Sequence, residues 1–278
     1  MIKIENLNFG YSKKKILFED LNHEFLPGHI YGLLGKNGAG KTTLLKQIAG
    51  LLFPQQGSCT VLGESTLTRK PSVLQDIYMI AEEFFLPSIS IAQYVKINAP
   101  FYPHFDYDQF NQFLNEFELT ITETLTSLSY GQKKKVLMGF GLAANTKLLI
   151  LDEPTNGLDI PSKSQFRRII ASSLNEERCI IISTHQVRDL SPLMDMIMIM
   201  EKGKLIFSDS AELISRKLQF KDIRESEQNS HVLYEEKTGL SKKIIILNTS
   251  NSETEVDIEL FFNGILSNTE NIINALKN

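Results

Sequence analysis

The stretch Gly35-Lys36-Asn37-Gly38-Ala39-Gly40-Lys41-Thr42-Thr43 decides how this chain is read. It matches G-x-x-x-x-G-K-[ST], a loop whose backbone N–H groups cradle phosphates. Its surroundings suit that chemistry. Ile30-Tyr31-Gly32-Leu33-Leu34 before it is a short apolar strand pattern. Leu44-Leu45-Lys46-Gln47-Ile48-Ala49 after it is a helical pattern stopped by Gly50. Gly35, Gly38 and Gly40 allow backbone angles that a Cβ would forbid, so the loop amides turn inward and the helix N-terminus adds its dipole. Lys41 is placed to reach the terminal phosphates of a nucleotide, and Thr42 to hold Mg²⁺.

Working outward, Leu148-Leu149-Ile150-Leu151-Asp152-Glu153 is an apolar strand that ends in two carboxylates. A strand buried on both faces reads as a continuous apolar run, and it delivers its terminal side chains to the carboxyl edge of a parallel sheet. There Asp152 serves a Mg²⁺ shell, and Glu153 polarises a water for attack on a γ-phosphate. Further strands are predicted over residues 2–9, 22–26, 57–62, 76–81, 179–183, 197–200, 205–207 and 243–247. Helices are predicted over 91–99, 106–117, 131–144, 162–175 and 270–276. The fold class is therefore α/β: a mainly parallel sheet, an N-terminal antiparallel β subdomain, a helical insert at about 88–144 and a small C-terminal α/β extension.

Composition sets bounds. The 278 residues suit one large α/β domain with an appendage, and a formal net charge of −4 gives no general case for nucleic-acid binding. Cys59 and Cys179 lie far apart in apolar segments, as buried reduced thiols of a cytosolic protein do. Met1-Ile2-Lys3-Ile4-Glu5 alternates like a strand rather than a signal peptide. No stretch approaches the ~20 apolar residues of a membrane span. Lys133, Lys134 and Lys135 read as a solvated helix start.

The order of motifs now resembles one family. Gly35–Thr43 and Leu148–Glu153 correspond to Walker A and Walker B. Leu128-Ser129-Tyr130-Gly131-Gln132 resembles the L-S-G-G-Q signature of ABC-type ATPases. Asn156-Gly157-Leu158-Asp159 resembles their D-loop, Ser183-Thr184-His185 their switch histidine, and Asn8-Phe9-Gly10-Tyr11 their adenine-stacking A-loop. The resemblance spans residues 1–210. It implies an ATP-binding and hydrolysing subunit, with an ATPase domain over 1–215 and an extension over 216–278. Lys36, Asn37, Ala39, Thr43 and the other loop residues would bind ATP together with Tyr11. Ser129, Gly131, Gln132 and Asp159 would act across an interface with a second copy or a homologous ATPase. Glu153 and His185 would be catalytic, and Thr42, Asp152 and Glu82 would hold Mg²⁺.

A separate permease would supply the membrane spans, placing the chain in the cytoplasm on the inner face of the membrane. The aromatics of residues 84–105 would either face that permease or form the insert's core. Two features depart from the family. Glu82, or Glu83 if the alignment shifts by one, stands where the family has glutamine. Tyr130 replaces the first signature glycine. The tail resembles that of exporter ATPases through Val256-Asp257-Ile258-Glu259-Leu260-Phe261. Two other readings are a soluble ABC-type ATPase acting on ribosomes or nucleic acid, and a low-turnover regulatory module.

Overall fold

A computed structural model describes residues 1–12, 15–224, 227, 231–239, 241–249 and 254–277. In chain order the elements are β1 (Ile2–Ser12), β2 (Lys15–Phe25), β3 (Ile30–Leu34), α1 (Lys41–Ile48), β4 (Gln56–Val61), β5 (Glu64–Ser65), α2 (Pro71–Leu74) and β6 (Ile77–Ile80). The helical insert follows with α3 (Ile91–Asn98), α4 (Tyr107–Glu116) and α5 (Tyr130–Ala143). Then come β7 (Leu148–Asp152), α6 (Ile160–Ser173), β8 (Cys179–Thr184), α7 (Val187–Leu190), β9 (Met196–Glu201), β10 (Lys204–Ser210) and α8 (Ala211–Lys217). The chain finishes with β11 (Leu218–Arg224), β12 (Val232–Thr238), β13 (Ser241–Leu247), α9 (Ile258–Ser267) and α10 (Thr269–Lys277).

The central sheet has the order β10-β9-β3-β8-β7-β6, and its strands are parallel except β10, which returns antiparallel on β9. β3, β7 and β8 are buried along their whole length, as their unbroken apolar runs require. Alternation divides their side chains between two cores. Leu148, Ile150, Cys179 and Ile181 face a core shared with α1 and the antiparallel sheet β2-β1-β4-β5. Leu149, Leu151, Ile180 and Ile182 face the other core, with the insert and α6. Both cysteines are buried free thiols, and burial pushes Cys59 up to about 11 and Cys179 up to about 12.

The aromatics of the insert divide. Tyr94, Tyr102 and Phe105 gather around the buried Phe140, with ring centroids 5.4, 5.7 and 4.8 Å away. Phe85 and Phe101 are 92% and 69% exposed.

In the C-terminal region, β11-β13-β12 form an antiparallel sheet. α9 covers it through Phe261 and Ile265, which share a core with Ile245 and Ile272. The ring of Phe261 meets Phe207 of β10 edge-on at 5.0 Å, so the extension and the ATPase-like core are one continuous apolar packing. α8 runs across residue 215, without a loop there. Strands β11 and β12 and helix α9 were not evident from sequence. Of the polar stretch Arg224-Glu225-Ser226-Glu227, Glu225 and Ser226 lie outside the described residues.

Candidate active site

The carboxyl ends of β3, β7 and β8 converge, and each releases a motif into the same crevice. Gly38 and Gly40 hold φ of +80° and +112°, angles a side chain would strain. Gly35 serves differently. Its φ is not positive, but a Cβ there would lie 2.6 Å from the carbonyl of Met200. α1 begins at Lys41 without any side-chain cap, so its first amides remain open to an anion. The Lys41 ammonium is buried. It donates to the Gly35 carbonyl at 2.8 Å and lies 3.6 Å from Glu153 Oε1. The cleft above the loop has a volume of about 310 Å³, and Tyr11, Thr42, Thr43, Glu82 and Glu153 are among its lining residues. Asn37 and Gly38 are exposed at its rim and Ala39 is buried, whereas Lys36 is exposed outside the lining. Tyr11 stands 58% exposed at its mouth. Its hydroxyl shares a hydrogen bond of 2.8 Å with Thr43 Oγ1, and its ring meets Phe9 edge-on.

Asp152 ends β7 with no solvent exposure. Ser183 Oγ donates to its Oδ1, while Oδ2 is buried with no partner among the described residues. A buried carboxylate oxygen without a donor is costly, and a hard cation is the partner that suits it. The donor set here therefore fits Mg²⁺. Glu153 is 3% exposed and holds φ of +46°. Its N–H reaches the carbonyl and the hydroxyl of Ser183 at 3.1 and 3.2 Å, and its Oε1 lies 2.8 Å from His185 Nδ1. Glu82 faces the cleft, with Oε1 accepting from Asn156 Nδ2 at 3.1 Å, while Glu83 is exposed.

The signature segment lies elsewhere. Ser129 caps α5 in a reciprocal box: its Oγ accepts from Gln132 N–H at 3.2 Å, and Gln132 Oε1 accepts from Ser129 N–H at 2.9 Å. Asp159 caps α6 by accepting from Ser162 N–H at 2.9 Å, and the hydrogen bonds with Ser162 hold its carboxyl below the usual range. Ser129, Gly131, Gln132 and Asp159 line a second cleft of about 410 Å³ that contains none of the phosphate-loop residues. One chain does not bring the two halves together.

Tyr130 leans back into its own chain. Its hydroxyl donates to the Glu82 carbonyl at 2.7 Å, and its ring stacks on Phe84 at 5.2 Å.

One expectation fails. Lys134 is not solvated: it has no exposure, and its ammonium donates to the carbonyls of Glu153 at 2.6 Å and Asn156 at 3.0 Å. Burial pushes its pKa down to about 8, against the pull of Glu82, Glu153 and Asp152. The residues from Val136 to Ala144 offer no polar face and are buried, but that apolar run starts only after the lysines.

A family model described as ABC transporter matches residues 18–156. Relatives match over most of their length. YtrB, an ABC transporter ATP-binding protein of Bacillus subtilis, is 31% identical over 208 residues, covering 74% of this chain and 70% of the relative. The chain belongs to the ABC transporter ATP-binding family. The bacitracin transport ATP-binding protein BcrA of Bacillus licheniformis is 31% identical over 238 residues, covering 84% and 78%. A solved ATP binding subunit of an ABC transporter shares the fold at a TM-score of 0.70 and 22% identity, covering 77% of this chain and 92% of that one. CbiO1 from Clostridium perfringens, part of the ABC transporter complex cbiONQ, aligns at a TM-score of 0.62 and 25% identity, covering 75% and 88%. As an ABC ATPase, the chain binds ATP and hydrolyses it to ADP and phosphate, powering transport through a separate permease.

Proposed function

We propose that the crevice at the ends of β3, β7 and β8 is the hydrolytic half-site, with Glu153 as the base that activates water. The observation that supports this most is the convergence of Lys41, Glu153 and His185 around one carboxylate oxygen, Glu153 Oε1. The loop amides of residues 37–43 and Lys41 bind the β- and γ-phosphates, and Tyr11 stacks on the base. Mg²⁺ would be held by Thr42, Asp152 and Glu82, and would neutralise charge on the phosphate oxygens. Water attacks the γ-phosphorus as the bond to the β-γ bridging oxygen breaks. Glu153 takes the proton, and His185 contacts the γ-phosphate.

The second cleft supports a composite site. Ser129, Gly131, Gln132 and Asp159 of a second copy, or of a homologous ATPase, close over the γ-phosphate. The partner of the assembly is a transmembrane permease, and the chain lies at the cytoplasmic face of the membrane. No helix among the described residues is long and apolar enough to cross it. Phe85 and Phe101 are exposed and would be available to that permease. Relatives carry names for bacitracin, lantibiotic and ribose transport, so the permease rather than this chain selects the cargo. Outward transport is supported by the resemblance of the helical insert and the tail to those of exporter ATPases, and nucleic acid has no role in this reading.

The test is steady-state hydrolysis of Mg·ATP. Glu153→Gln is expected to lose about 10²–10⁴-fold in kcat, as for removal of a general base, with KM for ATP nearly unchanged. Wild-type turnover in this variant would refute the assignment of Glu153.

A further inference from the structure

Lys134 is used by none of the steps above, yet it occupies the most buried cationic position in the site. A buried ammonium needs partners to offset its lost hydration. Lys134 finds two backbone carbonyls, those of Glu153 and Asn156, at 2.6 and 3.0 Å. These two carbonyls open and close one turn, and its first residue, Glu153, holds φ of +46°. A side-chain-bearing residue in that region persists only where its surroundings hold it. Carbonyls that converge on one point also repel each other unless a positive group sits between them. Lys134 supplies that group.

The turn extends the influence of Lys134 further. Asn156 gives its amide N–H to Glu82 and accepts from Gln186 Nε2 at 3.2 Å, next to His185. One ammonium therefore fixes the backbone of Glu153 and the residue that bridges Glu82 to the segment after β8. Lys134 also rides on α5, one turn beyond the Ser129 cap. Any movement of the signature end of α5 moves the ammonium, and the turn with it.

We propose that Lys134 is a positioning residue that holds the turn bearing Glu153 and transmits the position of the Ser129–Gly131 segment to that base within the same chain. The proposal rests on Glu153 acting as the base.

The experiment compares Lys134→Met, an apolar chain of similar length, with Lys134→Gln, whose amide can donate to one carbonyl. Both are made in the wild-type and in the Glu153→Gln background. The readouts are kcat, KM for ATP, and binding of a fluorescent ATP analogue. Lys134→Met is expected to lower kcat by about 10- to 100-fold, the scale for a base displaced by about an ångström, with analogue affinity within about threefold of wild type. Lys134→Gln should recover part of that loss. In the Glu153→Gln background, Lys134→Met should change kcat by less than about twofold, because the group it positions is already gone.

A wild-type rate in Lys134→Met overturns the proposal alone. So does an equal loss in both backgrounds, or a loss confined to affinity. If Lys134→Met fails to fold, the same comparison is read from Lys134→Gln. Failure of the wild-type chain to hydrolyse ATP would instead overturn the ATPase reading, and this proposal with it.

Discussion

Tyr11 combines an exposed ring with a tethered hydroxyl. Its ring is exposed at the mouth of the cleft, while its hydroxyl is tied to Thr43 of the phosphate loop. Tyr11→Ala should weaken ATP binding by about 1–3 kcal/mol, the worth of a base–aromatic stack, or about 5- to 150-fold in Kd. Tyr11→Phe keeps the stack and loses only the bond to Thr43, so its Kd should stay close to wild type. Calorimetric titration checks both; equal weakening in the two variants would assign the role to the hydroxyl. Residues of this kind were legible because their chemistry is local. Lys41, Asp152 and Glu153 announce themselves by the strand before them and by their spacing. Lys134 did not, because its partners are carbonyls about 20 residues away, and a backbone atom carries no residue identity to read. Between Glu82 and Glu83 the sequence offers no distinction; in the fold Glu82 meets Asn156 and Glu83 is exposed.

At the scale of elements, α5 carries a steric lesson. Replacing Gly141 with alanine would raise helix propensity by about 1 kcal/mol. Its Cβ, however, would sit 2.5 Å from a ring carbon of Tyr78 on β6. Overpacking of this kind costs about 1–3 kcal/mol, so Gly141→Ala should lower the midpoint of thermal unfolding. A raised midpoint would show that the ring gives way.

The antiparallel sheet carries an acid sensitivity. His23 on β2 lies edge-on to Phe25 at 4.6 Å, its Nε2 is buried without a partner, and burial pushes its pKa down to about 4. The folded chain thus keeps His23 neutral at pH values where the unfolded chain protonates it. Its stability is whole above about pH 6.5 and falls as pH drops toward 4, by about 2 kcal/mol at pH 5. Denaturant titrations at pH 7.5 and pH 5 should show this loss, and His23→Leu should shrink it; an unchanged loss in the variant would place the acid sensitivity elsewhere. The parallel strands were readable as unbroken apolar runs. The pair β11 and β12 were not, since they are only partly buried and gain their strand character from pairing with β13, with Phe220 opposite Ile245 and Glu235 opposite Ile244.

For the molecule as a whole, the motif residues divide between two separate clefts. The phosphate loop, Glu82 and Glu153 line one cleft, and Ser129, Gly131 and Asp159 line another. The motifs named both sets, and the family resemblance rather than any spacing in the chain implied that they meet only across an interface. The sequence did not show that the tail is fused to the ATPase core through Phe207 and Phe261, because that contact joins residues 54 positions apart. A further tie is the ion pair between Arg188, three residues after His185, and Glu259 at the start of α9. On this reading ATP completes its site by joining two such halves. The most direct measurement is the mass in solution of Glu153→Gln, by light scattering, with and without saturating Mg·ATP. The expected result is the monomer mass without nucleotide and twice that mass with it. A monomer mass at saturating Mg·ATP, with nucleotide binding verified in the same sample, would contradict it.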